Sequence, residues 1–230
     1  MYIYTYLKVY LNTFYLEMIY TIGGIKGGTG KTTIATNFVV WLAKTGKDIL
    51  LVDADEQESA TDFTSFREQT LKGETGYTAV KLTGERLRSE VLKMKVKYDH
   101  IVIDSGGRDT NSQRAALVAS DVVLLPFQPR SYDFWTVSKV QNLLSEIRSV
   151  KHDLKAFVFL NRADVRSTDN REAAEALSQT KGIEFIDVPL GNRKAFANAA
   201  SQGLSVIELI PQDEKACLEL NTLFSVIIKK

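Results

Sequence analysis

Short apolar runs recur along the chain, each followed by a stretch whose apolar positions return at helical spacing. Ile19–Gly23, Asp48–Val52, Ile101–Asp104, Val122–Pro126, Ala156–Asn161 and Glu184–Val188 read as strands. They are continuously apolar rather than alternating, the pattern of strands covered on both faces. Lys31–Lys44, Asp133–Val150 and Asn170–Thr180 carry the clearest helical period. Alternation of this kind predicts right-handed β-α-β units. The expected fold is therefore α/β, a doubly wound, mostly parallel sheet flanked by helices. No Pro/Gly/Ser tract, repeat or low-complexity segment interrupts it, so residues 18–230 read as one domain. In such sheets ligands bind beyond the carboxyl ends of the strands, which directs attention to the loops that follow them.

Composition narrows the functional classes. With 230 residues, 44% of them hydrophobic and a formal net charge of +1, the chain can bury one large core. It is not basic throughout, and any nucleic-acid contact must be a local patch. The single cysteine, Cys217, excludes an intramolecular disulfide, fits a reducing cytoplasm and cannot alone build an iron–sulfur or zinc site. His100 and His152 fall outside any motif. Residues 1–17 hold five of the nine tyrosines but no basic cluster followed by a cleavage site, and Lys8, Asn12, Thr13 and Glu17 break any membrane-spanning run. The expectation is a dispensable extension, with Met18 as the functional start before the first core strand. An extra strand or partner-binding arm is the competing reading.

The first post-strand loop is Gly23-Gly24-Ile25-Lys26-Gly27-Gly28-Thr29-Gly30-Lys31-Thr32-Thr33. Glycines let the backbone curl and aim several N–H groups at an anion, and the following helix adds the positive end of its dipole. Lys31 would reach the β- and γ-phosphates of a nucleotide, and the Thr32 hydroxyl would ligate Mg²⁺. The third such loop, Ile101-Val102-Ile103-Asp104-Ser105-Gly106-Gly107, fits a Walker-B strand whose carboxylate holds the metal through water. Gly107 completes D-x-x-G, where a backbone N–H can sense the γ-phosphate.

Lys26, five residues before Lys31, makes the loop unusual. Lys26 to Thr33 reads K-G-G-T-G-K-T-T, and here the sequence resembles the ParA/MinD ATPases with their deviant Walker-A loop. The resemblance implies a P-loop NTPase fold of the SIMIBI class, with Gly24, Lys26, Gly27, Gly28, Thr29, Gly30, Lys31, Thr32 and Thr33 around the phosphates. It implies ATP/ADP and Mg²⁺ as cofactors. It also implies that Lys26 reaches across a homodimer to the partner's phosphates, so that ATP favours the dimer and ADP the monomer. The second post-strand loop, Asp53-Ala54-Asp55-Glu56-Gln57, matches that family's D-x-D-x-Q. On this likeness Asp55 orients or deprotonates the attacking water, and Asp53 lies near Mg²⁺ and Thr32. Lys26, Lys31 and Asp55 form the expected catalytic set; Thr32, Asp53 and Asp104 form the metal set. Glu56 stands where the family usually has proline, and Gly106-Gly107 where many members have prolines.

Asn161-Arg162-Ala163-Asp164 looks like the N-K-x-D that reads guanine in GTPases. ParA-like proteins use an asparagine here to reach adenine, and a loop similar to Val188-Pro189-Leu190 to cover the ring; the deviant lysine favours ATP over GTP. Asn161, Arg162 and Pro189 are thus the base-binding candidates. Asn192–Val206 resembles the C-terminal segment of partition ATPases, which makes Arg193 and Lys194 the candidates for nonspecific DNA contact, with Arg162 and Arg166 weaker. The resemblance points to a small ParA-type partition ATPase in the cytoplasm, nucleoid-associated and stimulated by a centromere-binding partner. The alternative is a MinD-like membrane-cycling ATPase. That class needs a basic amphipathic C-terminal helix, whereas Leu220, Leu223, Phe224, Ile227 and Ile228 with only Lys229 and Lys230 basic read more simply as a helix docked on the core. The nitrogenase iron protein would need more than one cysteine, an amidotransferase-type synthetase a carboxylate-substrate site that the sequence does not offer, and a pure binding module would lose Asp55.

Overall fold

A computed structural model describes residues 17–129, 134–164 and 167–230. The expectations for residues 1–16, Asp133 and Arg166 therefore lie outside the described residues. Seven described strands form one parallel sheet: β1 (Met18–Ile22), β2 (Ile49–Asp53), β3 (Thr78–Lys81), β4 (His100–Asp104), β5 (Val122–Phe127), β6 (Lys155–Leu160) and β7 (Glu184–Phe185), in the order β3-β2-β4-β1-β5-β6-β7. The helices are α1 (Lys31–Ala43), α2 (Ser59–Thr70), α3 (Arg86–Met94), α4 (Asn111–Ala119), α5 (Phe134–Arg148), α6 (Asp169–Ser178), α7 (Lys194–Ala200) and α8 (Glu214–Ile228).

The apolar runs divide cleanly by strand alternation. Tyr20, Ile22, Ile49, Leu51, Val102, Leu124 and Phe159 face one side, where they pack with Phe38 and Val40 of α1 and with Leu220, Leu223 and Phe224 of α8. Ile19, Leu50, Val52, Ile101 and Ile103 face the other, against Leu87 and Val91 of α3 and Ala116 of α4. Farther along the same face, Val123, Leu125 and Val158 meet Val140 and Leu144 of α5 and Leu177 of α6. The C-terminal helix buries Leu220, Leu223, Phe224 and Ile227, as its docking on the core required.

Register decides the site. Ile22 of β1 and Asp53 of β2 both pair with Asp104 of the strand between them. The phosphate loop and the two acidic loops therefore leave the sheet at one level, side by side.

Two differences from the sequence reading have local causes. The last strand closes after Phe185 rather than Val188, because the Val188 N–H turns back onto the Ile186 carbonyl at 2.8 Å. That turn leaves the chain out of the ladder until Leu190 N–H reaches the Leu160 carbonyl. Strand β3 was not anticipated: it is an edge strand, largely exposed, with no apolar run to betray it.

Candidate functional site: a phosphate loop between two acidic switches

Three glycines give the loop its shape. Gly24, Gly28 and Gly30 have φ of 141°, 77° and 89°, which residues with a Cβ rarely adopt. At Gly30 space is also short, since a Cβ would stand 2.4 Å from Asn161 Nδ2. The loop's carbonyls are taken by side chains from neighbouring elements. Gln113 Nε2 donates to the Gly24 carbonyl (3.0 Å), Gln128 Nε2 and Arg162 Nη1 to Gly28 (2.7 and 3.2 Å), and Asn161 Nδ2 to Thr29 (2.8 Å). Among the described residues, none accepts a hydrogen bond from the N–H groups of Gly27, Gly28 or Gly30. A backbone held by its carbonyls with its N–H groups unspent is a cradle for an anion. Lys31 is buried, its ammonium donating to the Lys26 carbonyl at 2.9 Å. Burial holds its pKa below the usual range, against the pull of Asp104 and Asp55.

The metal side is set by Asp104, which is fully buried, with no hydrogen-bond partner assigned to either carboxylate oxygen. Burial pushes its pKa up to about 7; Asp53 and Asp55 push the same way, while the neighbouring Thr32 hydroxyl and Lys31 oppose. A buried carboxyl with at most the neighbouring Thr32 hydroxyl to satisfy it, level with a phosphate loop, fits a hydrated divalent cation. The protein alone offers no cluster of three or more His, Cys, Asp or Glu for a metal among the described residues. The fit is therefore to a magnesium ion completed by water and phosphate oxygens, not to a dedicated all-protein cage.

Asp53 is buried and spends its carboxylate on the chain. It accepts from Asp55 N–H (3.1 Å) and from both the N–H and hydroxyl of Thr61 (2.8 Å each), which ties the β2 end to the first turn of α2. Asp55 stands between them, half-buried, capping Gln57 N–H at 3.2 Å. From the other side Gly106 crowds its carboxylate, and Gly107 lies so close to the phosphate loop that a Cβ would meet Gly27 Cα at 2.8 Å. Together these loops enclose a cavity of about 680 Å³ lined by Gly27, Gly28, Gly30, Lys31, Thr32, Thr33, Asp55, Gln57, Ser59, Gly107, Arg108 and Arg162.

A second cavity of about 220 Å³, lined by Gln128, Pro129, Arg162, Asp164, Ser167, Asn170 and Asn192, shares Arg162 with the first. Arg162 holds a left-handed φ of 55°, a strained backbone for a residue with a side chain. Asn161 is buried beneath the phosphate loop, and Pro189 is exposed and lines neither cavity. Arg162 lines the adjoining pocket, together with Asp164 of the same motif and with Gln128 and Asn170, which the sequence did not single out. Lys26 is exposed and does not line the phosphate cavity of its own chain. Of the two basic candidates on the outer surface, Arg193 is committed inward, its guanidinium forked onto Glu219 of α8, which raises its pKa. Lys194 is exposed at the start of α7.

The description "CobQ/CobB/MinD/ParA nucleotide binding domain" matches residues 20–206. The chain belongs to this family. It is 30% identical over 195 residues to "Maintenance of carboxysome distribution protein A" of Gloeobacter kilaueensis, covering 84% of this chain and 85% of the relative. The protein of the same name from Halothiobacillus neapolitanus is 25% identical over 209 residues, covering 90% and 94%. Among solved structures, cobyrinic acid a,c-diamide synthase from Mycobacterium smegmatis, with a bound ATP analogue and magnesium, superposes with a TM-score of 0.76. It is 16% identical and the match covers 93% of this chain and 95% of that one, a likeness of fold.

Proposed function

We propose that the chain is a ParA-type, ATP-driven switch that dimerises around two nucleotides, binds nonspecific DNA in that state and resets by hydrolysis. The observation that carries the reading is Lys26, a second lysine in a complete phosphate loop, exposed and absent from the lining of its own chain's phosphate cavity, which Lys31 lines. A cation so placed neutralises a neighbouring copy's triphosphate, so that charge which would repel two subunits draws them together.

In this reading the phosphates lie against the N–H groups of Gly27, Gly28 and Gly30, with Lys31 beside them. Thr32 and Asp104 would hold Mg²⁺, which would supply neutralising charge to the nucleotide's phosphates. Asp55 orients the attacking water. Asp53 acts mainly by fixing where Asp55 stands. The base occupies the cavity bounded by Arg162, Asp164 and Asn170, and ATP rather than GTP is the nucleotide.

DNA partition with a centromere-binding partner is the cargo reading the sequence favours. The names of the two relatives favour a second, in which the chain maintains the distribution of carboxysomes or a similar compartment. Membrane cycling is the weaker case, since α8 buries Leu220, Leu223, Phe224 and Ile227 in the core rather than offering them to a surface. Size-exclusion light scattering and DNA co-sedimentation with ATP, ADP and no nucleotide test the reading. Dimer and DNA binding are expected with ATP alone; a chain that stays monomeric with ATP and magnesium overturns it.

A further inference from the structure

We propose that Arg108 is a catalytic residue, a guanidinium delivered by the loop after β4 to the terminal phosphate of the nucleotide in its own subunit. The inference rests on the ATPase reading above and adds a residue that reading did not include.

The placement is built by glycine. Gly107 approaches the phosphate loop to backbone contact, since a Cβ there would stand 2.8 Å from Gly27 Cα and 2.9 Å from Gly27 N. The next side chain along is therefore brought to the mouth of the phosphate cavity, and Arg108 lines that cavity together with Lys31, Thr32 and Asp55. The residue following it, Asp109, is the obvious competitor for the guanidinium, and it is already taken. Arg114 forks onto both Asp109 carboxylate oxygens at 2.6 and 2.7 Å and reaches Glu146 of α5 at 2.7 Å. Among the described residues no hydrogen bond or ion pair holds the Arg108 guanidinium. The other two cations at the cavity are engaged with loop carbonyls, Lys31 with Lys26 and Arg162 with Gly28. An arginine with no acceptor among the described residues, one residue beyond the Gly107 contact with the phosphate cradle, is matched in shape and charge to phosphate oxygens.

Its contribution would be greatest as charge spreads over the transferring phosphoryl group. There the water oxygen bonds to the γ-phosphorus and the bridging P–O bond breaks with its electron pair on ADP. The water's proton passes to Asp55 or to the phosphate.

The test compares wild type, Arg108→Ala and Arg108→Lys by single-turnover ATP hydrolysis and by affinity for fluorescent ATP and ADP analogues, with Tm as a folding check. Arg108 is exposed, so the Tm of both variants is expected to match wild type. Arg108→Ala is expected to slow turnover on the order of 10²-fold and to weaken ATP more than ADP, with partial recovery in Arg108→Lys. Mixing Arg108→Ala with Asp55→Ala separates geometries. An arginine acting in its own subunit leaves the mixture inactive, whereas recovered turnover would move the contact across the dimer and overturn the assignment. Unchanged turnover and an unchanged ATP-to-ADP affinity ratio in Arg108→Ala, beside an active wild type, overturn the role of Arg108 alone. A wild-type chain that binds neither nucleotide overturns the ATPase reading beneath it.

Discussion

The far end of α2 offers a sharp test of what holds the switch in place. Arg67 is buried there, its guanidinium forked onto Glu208 at 2.7 and 2.9 Å and donating to the Gly203 and Thr75 carbonyls. Glu208 also accepts from Ser205 N–H at 2.9 Å, and Ser205 in turn donates its hydroxyl to Asn37 of α1, so the pair joins three segments. Glu208→Ala removes the acceptor and strands a buried cation, which costs about 3–5 kcal/mol. For a chain of this size that lowers Tm by about 6–20 °C. Burial alone would raise the Glu208 pKa, but the Arg67 and Ser205 hydrogen bonds outweigh it and leave it below the usual 4.5. The pair's stabilisation is thus present above about pH 4.5 and lost as pH falls through the lowered folded value. Urea melts of wild type and Glu208→Ala at pH 7 and pH 3 measure both effects. The difference should be large at pH 7 and smaller at pH 3. A gap under about 1 kcal/mol at pH 7, or one that widens in acid, refutes the reasoning.

Other outcomes follow from the site and the core. Asp55→Ala is expected to bind ATP and persist as a dimer while turnover falls by about 3–4 kcal/mol at the transition state, whereas Lys31→Ala loses nucleotide binding; stopped-flow phosphate release and analogue titration distinguish them. Gly107→Ala inserts a methyl against the Gly27 backbone, which has no side chain to yield, and overpacking of that kind costs about 1–3 kcal/mol. The loss should appear as weakened ATP binding in titration calorimetry, more than as a lowered Tm. His100 is buried beside Lys47, and burial first, then that charge, lowers its pKa from 6.5 to about 4. The unfolded chain therefore takes up a proton that the native state refuses. Stability is fully present above pH 6.5 and declines toward pH 4 by about 3 kcal/mol, at roughly 1.4 kcal/mol per pH unit. His100→Gln should flatten that part of the denaturation profile.

What the sequence made legible was whatever produces a continuous pattern. The buried strands and the helix at Lys31 stood out because each is apolar across several residues, and the phosphate loop because its spacing is strict. The edge strand Thr78–Lys81 has neither property, since half of its hydrogen-bonding capacity and most of its side chains face water. The helices Ser59–Thr70 and Arg86–Met94 bury only a few positions each, too few for a clear period. Within the site, Asp104 was recognisable from a strand ending in a carboxylate. That Asn161 donates to the phosphate loop depends on a contact 132 residues away, which no local motif encodes. The same holds for Arg193, whose basic character was visible and whose partner on α8 was not.

The shared register of Ile22, Asp53 and Asp104 has a consequence for how this site tolerates change. Adjacent strands stand about 4.8 Å apart, and sliding one by a residue moves its end by about 3.3 Å and turns the side chain to the opposite face. The ladder is thus a ruler, and it fixes the anchor points before any loop is drawn. Loops hung from such a ruler can exchange residues that touch neither the carboxylates nor the phosphate loop, as with glutamate for proline at 56, while Asp53 and Asp104 stay where they were. Variation at such positions reshapes a loop without moving the two carboxylates that end β2 and β4.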